Sequence, residues 1–161
     1  MIKKIFILLF TFAYMTFPLH AASNNSASSS NETIKKNIIS SYKSAENRIK
    51  KAKKLEKKGK TDKALKLYKE AFIFLKKANL SKPVDPNTLN YLGFTSRKLG
   101  KFEDAELYYL LGLSLDPSHK GINEYLGELY VVTKRINLAK ERLEVLKSCN
   151  CEEYGELKEI I

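Results

Sequence analysis

Cys149 and Cys151 are the only cysteines of the 161-residue chain, and they stand one residue apart. Three chemistries are open to such a pair: a disulfide, free or intermolecular thiols, or two thiolates serving a metal or a redox exchange. An oxidising compartment favours the bridge, although a ring closed across one intervening residue is strained and easily reduced. Thiol exchange needs a nearby base or a helix amino terminus to lower a thiol pKa, and Glu152 and Glu153 push the other way. A soft metal would want a third ligand, and neither His nor Met is close in sequence. The pair reads first as a structural disulfide.

Other reactive side chains offer less. Glu103, Asp104 and Glu106 are close enough to suggest paired carboxylates, but helical phase places them on an exposed first turn that the helix dipole favours. His119, in Pro117-Ser118-His119, reads as a surface loop residue. The chain has no Gly-rich phosphate cradle, no Gly-x-Ser-x-Gly elbow and no His-Glu-x-x-His pair. No catalytic, cofactor-binding or metal-binding residues are expected, and enzymes are set aside.

The elements that position these residues lie downstream of an address segment. Lys3 and Lys4 precede an apolar run over residues 5–14, broken only by Thr11, and Leu19-His20-Ala21-Ala22 supplies small residues for cleavage. That order marks a secretory signal peptide over residues 1–22. An uncleaved anchor is the alternative, but the run is short of the roughly 20 residues that span a bilayer. With no cysteine near the cleavage point a lipid anchor is excluded, so export is expected. Residues 23–33, rich in Ser and Asn, are expected to be a flexible polar leader. Residues 34–161 are left as the folded domain.

Charge is divided unevenly along that domain. The whole chain carries 29 basic and 18 acidic residues, a formal charge of +11. Residues 35–82 hold 17 basic and 4 acidic side chains, whereas residues 83–161 hold 10 and 13. Lys53, Lys54, Lys57 and Lys58 lie in the densest stretch and make a candidate patch for an anionic surface, whether phospholipid, envelope polymer or acidic protein. Solvated helix faces are the plain alternative. An exported chain is not expected to meet nucleic acid. Apolar residues at 43% suit a helical domain, and seven Gly with four Pro are too few for a turn-heavy β fold.

Periodicity supplies the elements. Ile38, Tyr42, Ala45, Ile49, Ala52 and Leu55 recur in steps of four and three, one apolar stripe along a helix that Gly59 ends. A second helix starts at Thr61-Asp62 and buries Ala64, Leu67, Tyr68, Ala71, Phe72 and Leu75. A shift of 34 residues aligns Tyr91-Leu92-Gly93 with Tyr125-Leu126-Gly127, and Ala105 with Ala139. A shift of 41 aligns Gly59 with Gly100, Ala64 with Ala105 and Tyr68 with Tyr109. The extra seven residues fall in a longer linker around Ser81-Lys82-Pro83-Val84.

Asn90-Tyr91-Leu92-Gly93 followed by Phe102, Ala105, Tyr109 and Asp116-Pro117 resembles the tetratricopeptide repeat (TPR) closely. Tyr125-Leu126-Gly127 with Ala139 and Leu143 matches well, with Lys134 where the turn glycine belongs, and the first repeat matches only in its second helix. The resemblance implies an all-α fold: a short right-handed solenoid of about three antiparallel helix pairs, closed by a C-terminal capping helix. Close approach explains the small Gly93, Gly127, Ala105 and Ala139 at points where backbones nearly touch. Tyr68, Tyr109 and Leu143 are expected to fill gaps between repeats. Asp85-Pro86 and Asp116-Pro117 are expected to cap the following hairpins. Leu157, Ile160 and Ile161 are expected to cover the last apolar face. The tail from Cys149 is similar to that of exported proteobacterial TPR proteins, which points to a bacterial periplasm.

In this family the first helix of each pair lines a concave groove. The resemblance therefore implies a protein or peptide partner, met by Asn87, Asn90, Phe94, Arg97 and Lys98 of the second repeat and by Glu124, Glu128, Val131 and Val132 of the third. Chaperone-binding members grip a terminal carboxylate with Lys and Asn. Phe94 and Val132 occupy positions where such residues are expected, so Phe94 reads as an apolar anchor for an extended or helical segment instead. A groove filled by the chain's own first helix and tail is the competing arrangement. The expected function is a non-catalytic periplasmic scaffold, with binding of anionic membrane or polymer through the first hairpin as the alternative.

Overall fold

The computed structural model describes residues 25–81 and 85–161; the expected signal peptide and Lys82, Pro83 and Val84 of the linker lie outside them. Seven helices and no strand occur among the described residues: α1 (Asn25–Glu56), α2 (Thr61–Ser81), α3 (Pro86–Lys98), α4 (Phe102–Leu115), α5 (Lys120–Val132), α6 (Ile136–Leu146) and α7 (Glu152–Ile160). None is long and apolar enough to cross a membrane. Helices α1/α2, α3/α4 and α5/α6 form three stacked hairpins, and α7 packs against α5 and α6.

Three matching turns show that the hairpins are one repeated unit. In the first, Gly59 N–H donates to Glu56 O and Lys60 N–H to Leu55 O; in the second, Gly100 donates to Arg97 and Lys101 to Ser96; in the third, Lys134 donates to Val131 and Arg135 to Tyr130. Each middle residue has positive φ, at 68° for Gly59, 74° for Gly100 and 61° for Lys134. This is the left-handed helix ending that glycine takes without steric cost. Lys134 takes it against its own Cβ.

The helix starts differ from one another. Asp85 caps α3, its Oδ2 accepting from Thr88 N at 2.9 Å, with Pro86 in the first turn. Asp116 does not cap α5 as expected. Its carboxylate accepts from Ser118 N and Oγ, tightening the turn, and His119 becomes the cap, with Nδ1 accepting from Ile122 N at 3.2 Å. Two residues beyond Pro117 are needed before the chain turns into α5, and the cap moves with them.

The apolar stripes expected for α1 and α2 are the ones that meet: Ala45, Ile49, Ala52, Ala64, Tyr68, Ala71 and Leu75 are buried together with Leu89, Leu92 and Phe94 of α3. The glycines act differently from expectation. A Cβ on Gly93 would overlap the Tyr109 ring, and one on Gly127 would lie 2.5 Å from Leu157 Cδ2. They seat side chains rather than bringing backbones together. Leu157 of α7 is the buried cap residue, while Ile160 and Ile161 stay exposed. The leader also departs from expectation, because α1 runs back to Asn25. Residues 31–37 of it are exposed; once α1 is nucleated, each further residue adds a backbone hydrogen bond at small cost.

Candidate functional site

The concave face is formed by α1, α3 and α5, closed at one end by α7. Its cleft, of about 270 Å³, is lined by Lys53 and Glu56 of α1, Lys57 of the turn after it, Phe94, Arg97 and Lys98 of α3, Glu124, Tyr125 and Glu128 of α5, and Glu156 of α7. Charged side chains thus come from four helices onto an aromatic floor.

That floor is built by the repeat. Phe94 and Tyr125 lie with ring centroids 4.9 Å apart, and Tyr68 of α2 meets Phe94 edge-on at 5.7 Å. Phe94 is only 1% exposed, so it is a packing residue under the cleft and not the open anchor the sequence suggested. Lys53 closes over it. Its Nζ donates to Tyr125 Oη at 2.9 Å and sits 4.8 Å from the Phe94 ring centre, an attraction of cation to ring face that desolvation strengthens.

Ion pairs tie the helices together around this core. Arg97 pairs with Glu128 across α3 and α5. Lys98 Nζ reaches Glu56 at 3.1 Å, and Tyr68 Oη donates to the same carboxylate at 2.7 Å. Burial, then that hydrogen bond to Glu56, raises the Tyr68 pKa far above its ordinary value.

Glu124 is the outlier. It is 3% exposed, and its Oε1 has no hydrogen-bond partner. Burial pushes its pKa up to about 9, aided by a hydrogen bond with Glu156 and the negative charges of Glu128 and Glu156, with Lys53 opposing. At neutral pH it is therefore an uncharged acid that joins α5 to α7.

The remaining candidate residues are placed as follows. Asn90 is buried, its amide nitrogen against Gly121. Asn87 is exposed, and its Oδ1 lies 3.2 Å from His119 Nε2; with Nδ1 accepting the helix cap, Nε2 is the nitrogen left to donate. Val131 is half-buried and Val132 exposed. Of the four patch lysines, Lys53 and Lys57 face the cleft, Lys54 lines a separate groove with Lys50 and Lys51, and Lys58 is exposed in the first turn. They do not form one surface.

Glu106, expected on an exposed first turn, is half-buried. It is gripped by Arg135 through two bonds of 2.8 Å. Cys149 and Cys151 form a disulfide in the α6–α7 loop. Among the described residues no group of three His, Cys, Asp or Glu is arranged to hold a metal ion.

Sequence reasoning missed Lys53 as a cleft residue and the Glu124–Glu156 link. The first had a signal: Ile49, Lys53 and Glu56 continue the α1 stripe in helical phase. The second had none, because α7 approaches α5 only in the folded chain.

No protein-family model and no curated protein matches the chain. Solved structures do. The second TPR domain of human RPAP3, in complex with the HSP70 peptide SGPTIEEVD, is 20% identical, with 76% of this chain and 97% of that one covered and a TM-score of 0.50. The first TPR domain of human RPAP3 is 26% identical, covering 73% and 89%, with a TM-score of 0.49. The first TPR of Spaghetti (RPAP3), bound to the HSP90 peptide SRMEEVD, is 25% identical, covering 74% and 91%, with a TM-score of 0.47. Three hairpins with matching turns and a likeness to a TPR domain of the same extent make this fold a short TPR-like helical solenoid.

Proposed function

We propose that the protein is a non-catalytic scaffold that holds a peptide segment of another protein in its concave cleft. The observation carrying this reading is the convergence of α1, α3, α5 and α7 on one open cleft with a rigid aromatic floor and charges of both signs. Tyr125, half-buried beside Lys53 and Lys57, is the aromatic side chain of the floor that a segment can reach, and Tyr is enriched among binding anchors. The RPAP3 domain of like fold was solved with a peptide. Lys57 at the rim and Lys53 over the rings favour a segment with carboxylates, which would draw Lys53 out of its ring contact.

We further propose an exported, periplasmic setting of the proteobacterial kind, on the order of segments in residues 1–22 and the paired cysteines. The partner is then another envelope protein. Anionic lipid or polymer is the weaker reading, because Lys53, Lys54, Lys57 and Lys58 face different directions.

A photo-crosslinking amino acid at Lys57, inside the cleft, should capture one discrete protein in intact cells. The same group at Lys63, outside the cleft on α2, should not. Equal capture from both positions, or none from Lys57, would overturn the cleft reading.

A further inference from the structure

Helix α4 has two apolar faces, and the fold uses one. Ala105, Tyr109, Gly112 and Leu113 are buried inward, while Leu107, Leu110, Leu111 and Leu115 stand 43–66% exposed on the convex side. The four leucines follow helical spacing and make one continuous stripe. A contiguous apolar stripe on an otherwise charged surface marks an interaction site.

What flanks the stripe identifies its occupant. The buried Ala64, Ala105 and Ala139 are equivalent in the three hairpins, so Leu107 and Leu110 of α4 correspond to Lys66 and Lys69 of α2 and to Glu141 and Glu144 of α6. All four flanking residues are exposed. Helix α2 lies on one side of α4, where the Phe72 and Tyr108 rings meet at 6.4 Å. Helix α6 lies on the other, where Arg135, the residue that precedes it, pairs with Glu106 of α4. At the levels of Leu107 and Leu110 the convex face therefore reads positive, apolar, negative across three helices.

We infer that this face binds a second copy of the same chain about a two-fold axis parallel to α4. A two-fold interface brings one patch against itself, and only two orientations of the axis keep the helices aligned. An axis across the helices would set Lys66 and Lys69 against their own copies. The axis along α4 sets them against Glu141 and Glu144 of the second copy, twice over, with the leucine stripes meeting in parallel at the centre. Convexity fits this arrangement. The faces approach most closely at α4, and the flanks, where the gap opens, carry the long Lys and Glu side chains. In the single chain Glu144 bonds Lys147 at 3.0 Å and Glu141 lies 3.8 Å from Arg142; exposed pairs of this kind are weak and exchange partners readily.

Sedimentation equilibrium of the purified chain tests this. The wild type should be a dimer, and Leu110→Glu with Leu111→Glu should raise its dissociation constant at least about a hundredfold, each change being made twice. Helix content by circular dichroism should not move, because the leucines are exposed. Two charge-reversed variants supply the decisive arm. Lys66→Glu/Lys69→Glu alone and Glu141→Lys/Glu144→Lys alone should each be monomeric, and an equal mixture should restore the dimer, because both flanks then pair opposite charges. A monomeric wild type would overturn the inference, as would two reversed variants that each dimerise like the wild type. So would a wild type that stays monomeric but binds anionic phospholipid vesicles through the same leucines.

Discussion

Replacing Glu124 by Gln isolates the most unusual group in the cleft. The carboxyl faces Glu128 on its own helix and Glu156 of α7, with Lys53 of α1 as the opposing charge, and burial leads in pushing its pKa from 4.5 to about 9. An acid whose folded pKa lies above its unfolded value holds its proton more tightly when folded. Its contribution is complete below about pH 4.5 and is lost as pH rises toward about 9. Each pH unit in that window removes at most about 1.4 kcal/mol. At pH 7.5, about 3 units in, the ceiling is about 4 kcal/mol, and water entry and movement of Glu156 reduce it to about 2 kcal/mol. Gln has nearly the same shape, carries no proton to lose and can still donate to Glu156. The assay is urea unfolding of both proteins at pH 5, 6.5 and 8. Glu124→Gln should match the wild type at pH 5 and exceed it by about 2 kcal/mol at pH 8. A stability difference that stays constant with pH would show that Glu124 titrates as an ordinary carboxylate, and the reasoning would fail.

Other substitutions probe the scaffold. Ala105→Arg drives a charged side chain into a fully buried contact, where overpacking alone costs about 1–3 kcal/mol, and the melting temperature should fall sharply. Leu157→Ala empties the seat at Gly127; a loss of about 2–5 kcal/mol is expected, with hydrogen exchange in α7 rising to that of an open segment. Lys134→Gly removes the Cβ from a position at φ 61° and should stabilise by up to about 1 kcal/mol, read as a higher urea midpoint. Replacing both Cys149 and Cys151 by Ser should cost less than the roughly 2–4 kcal/mol of a longer bridge and leave partner capture unchanged.

Much of the fold was legible because its signals are local. The glycines at 59 and 100 mark turns whose hydrogen bonds close within six residues, and the shifts of 34 and 41 are the spacings at which those bonds recur. The same logic located Lys134 as a turn residue lacking its glycine. The cleft was legible only as a set of helix faces. Which residues are open depends on distant partners: Phe94 is sealed by Tyr68, Tyr125 and Lys53, and Glu124 by Glu156. Those contacts cross between repeats, where no pattern of spacing records them. Asp116 misled for the opposite reason, since Asp-Pro before a helix reads as a cap unless the turn through Ser118 is seen.

The two glycine seats bear on how such an array can change in length. At Gly93 the seat is filled from within the same hairpin, by Tyr109. At Gly127 the equivalent hairpin residue is Leu143, a shorter side chain, and the seat is filled by Leu157 of α7. The third hairpin's seat is thus filled by a borrowed side chain, whereas the second fills this one itself and borrows only Ile122 of α5 at Gly112. A unit duplicated from α3 and α4 carries its own plug for that seat, although its Gly112 would then face Thr88, the counterpart of Ile122, in the copy that follows. A unit copied from α5 and α6 alone would arrive with an empty seat. The last hairpin and its cap therefore travel as one piece in any rearrangement of such an array.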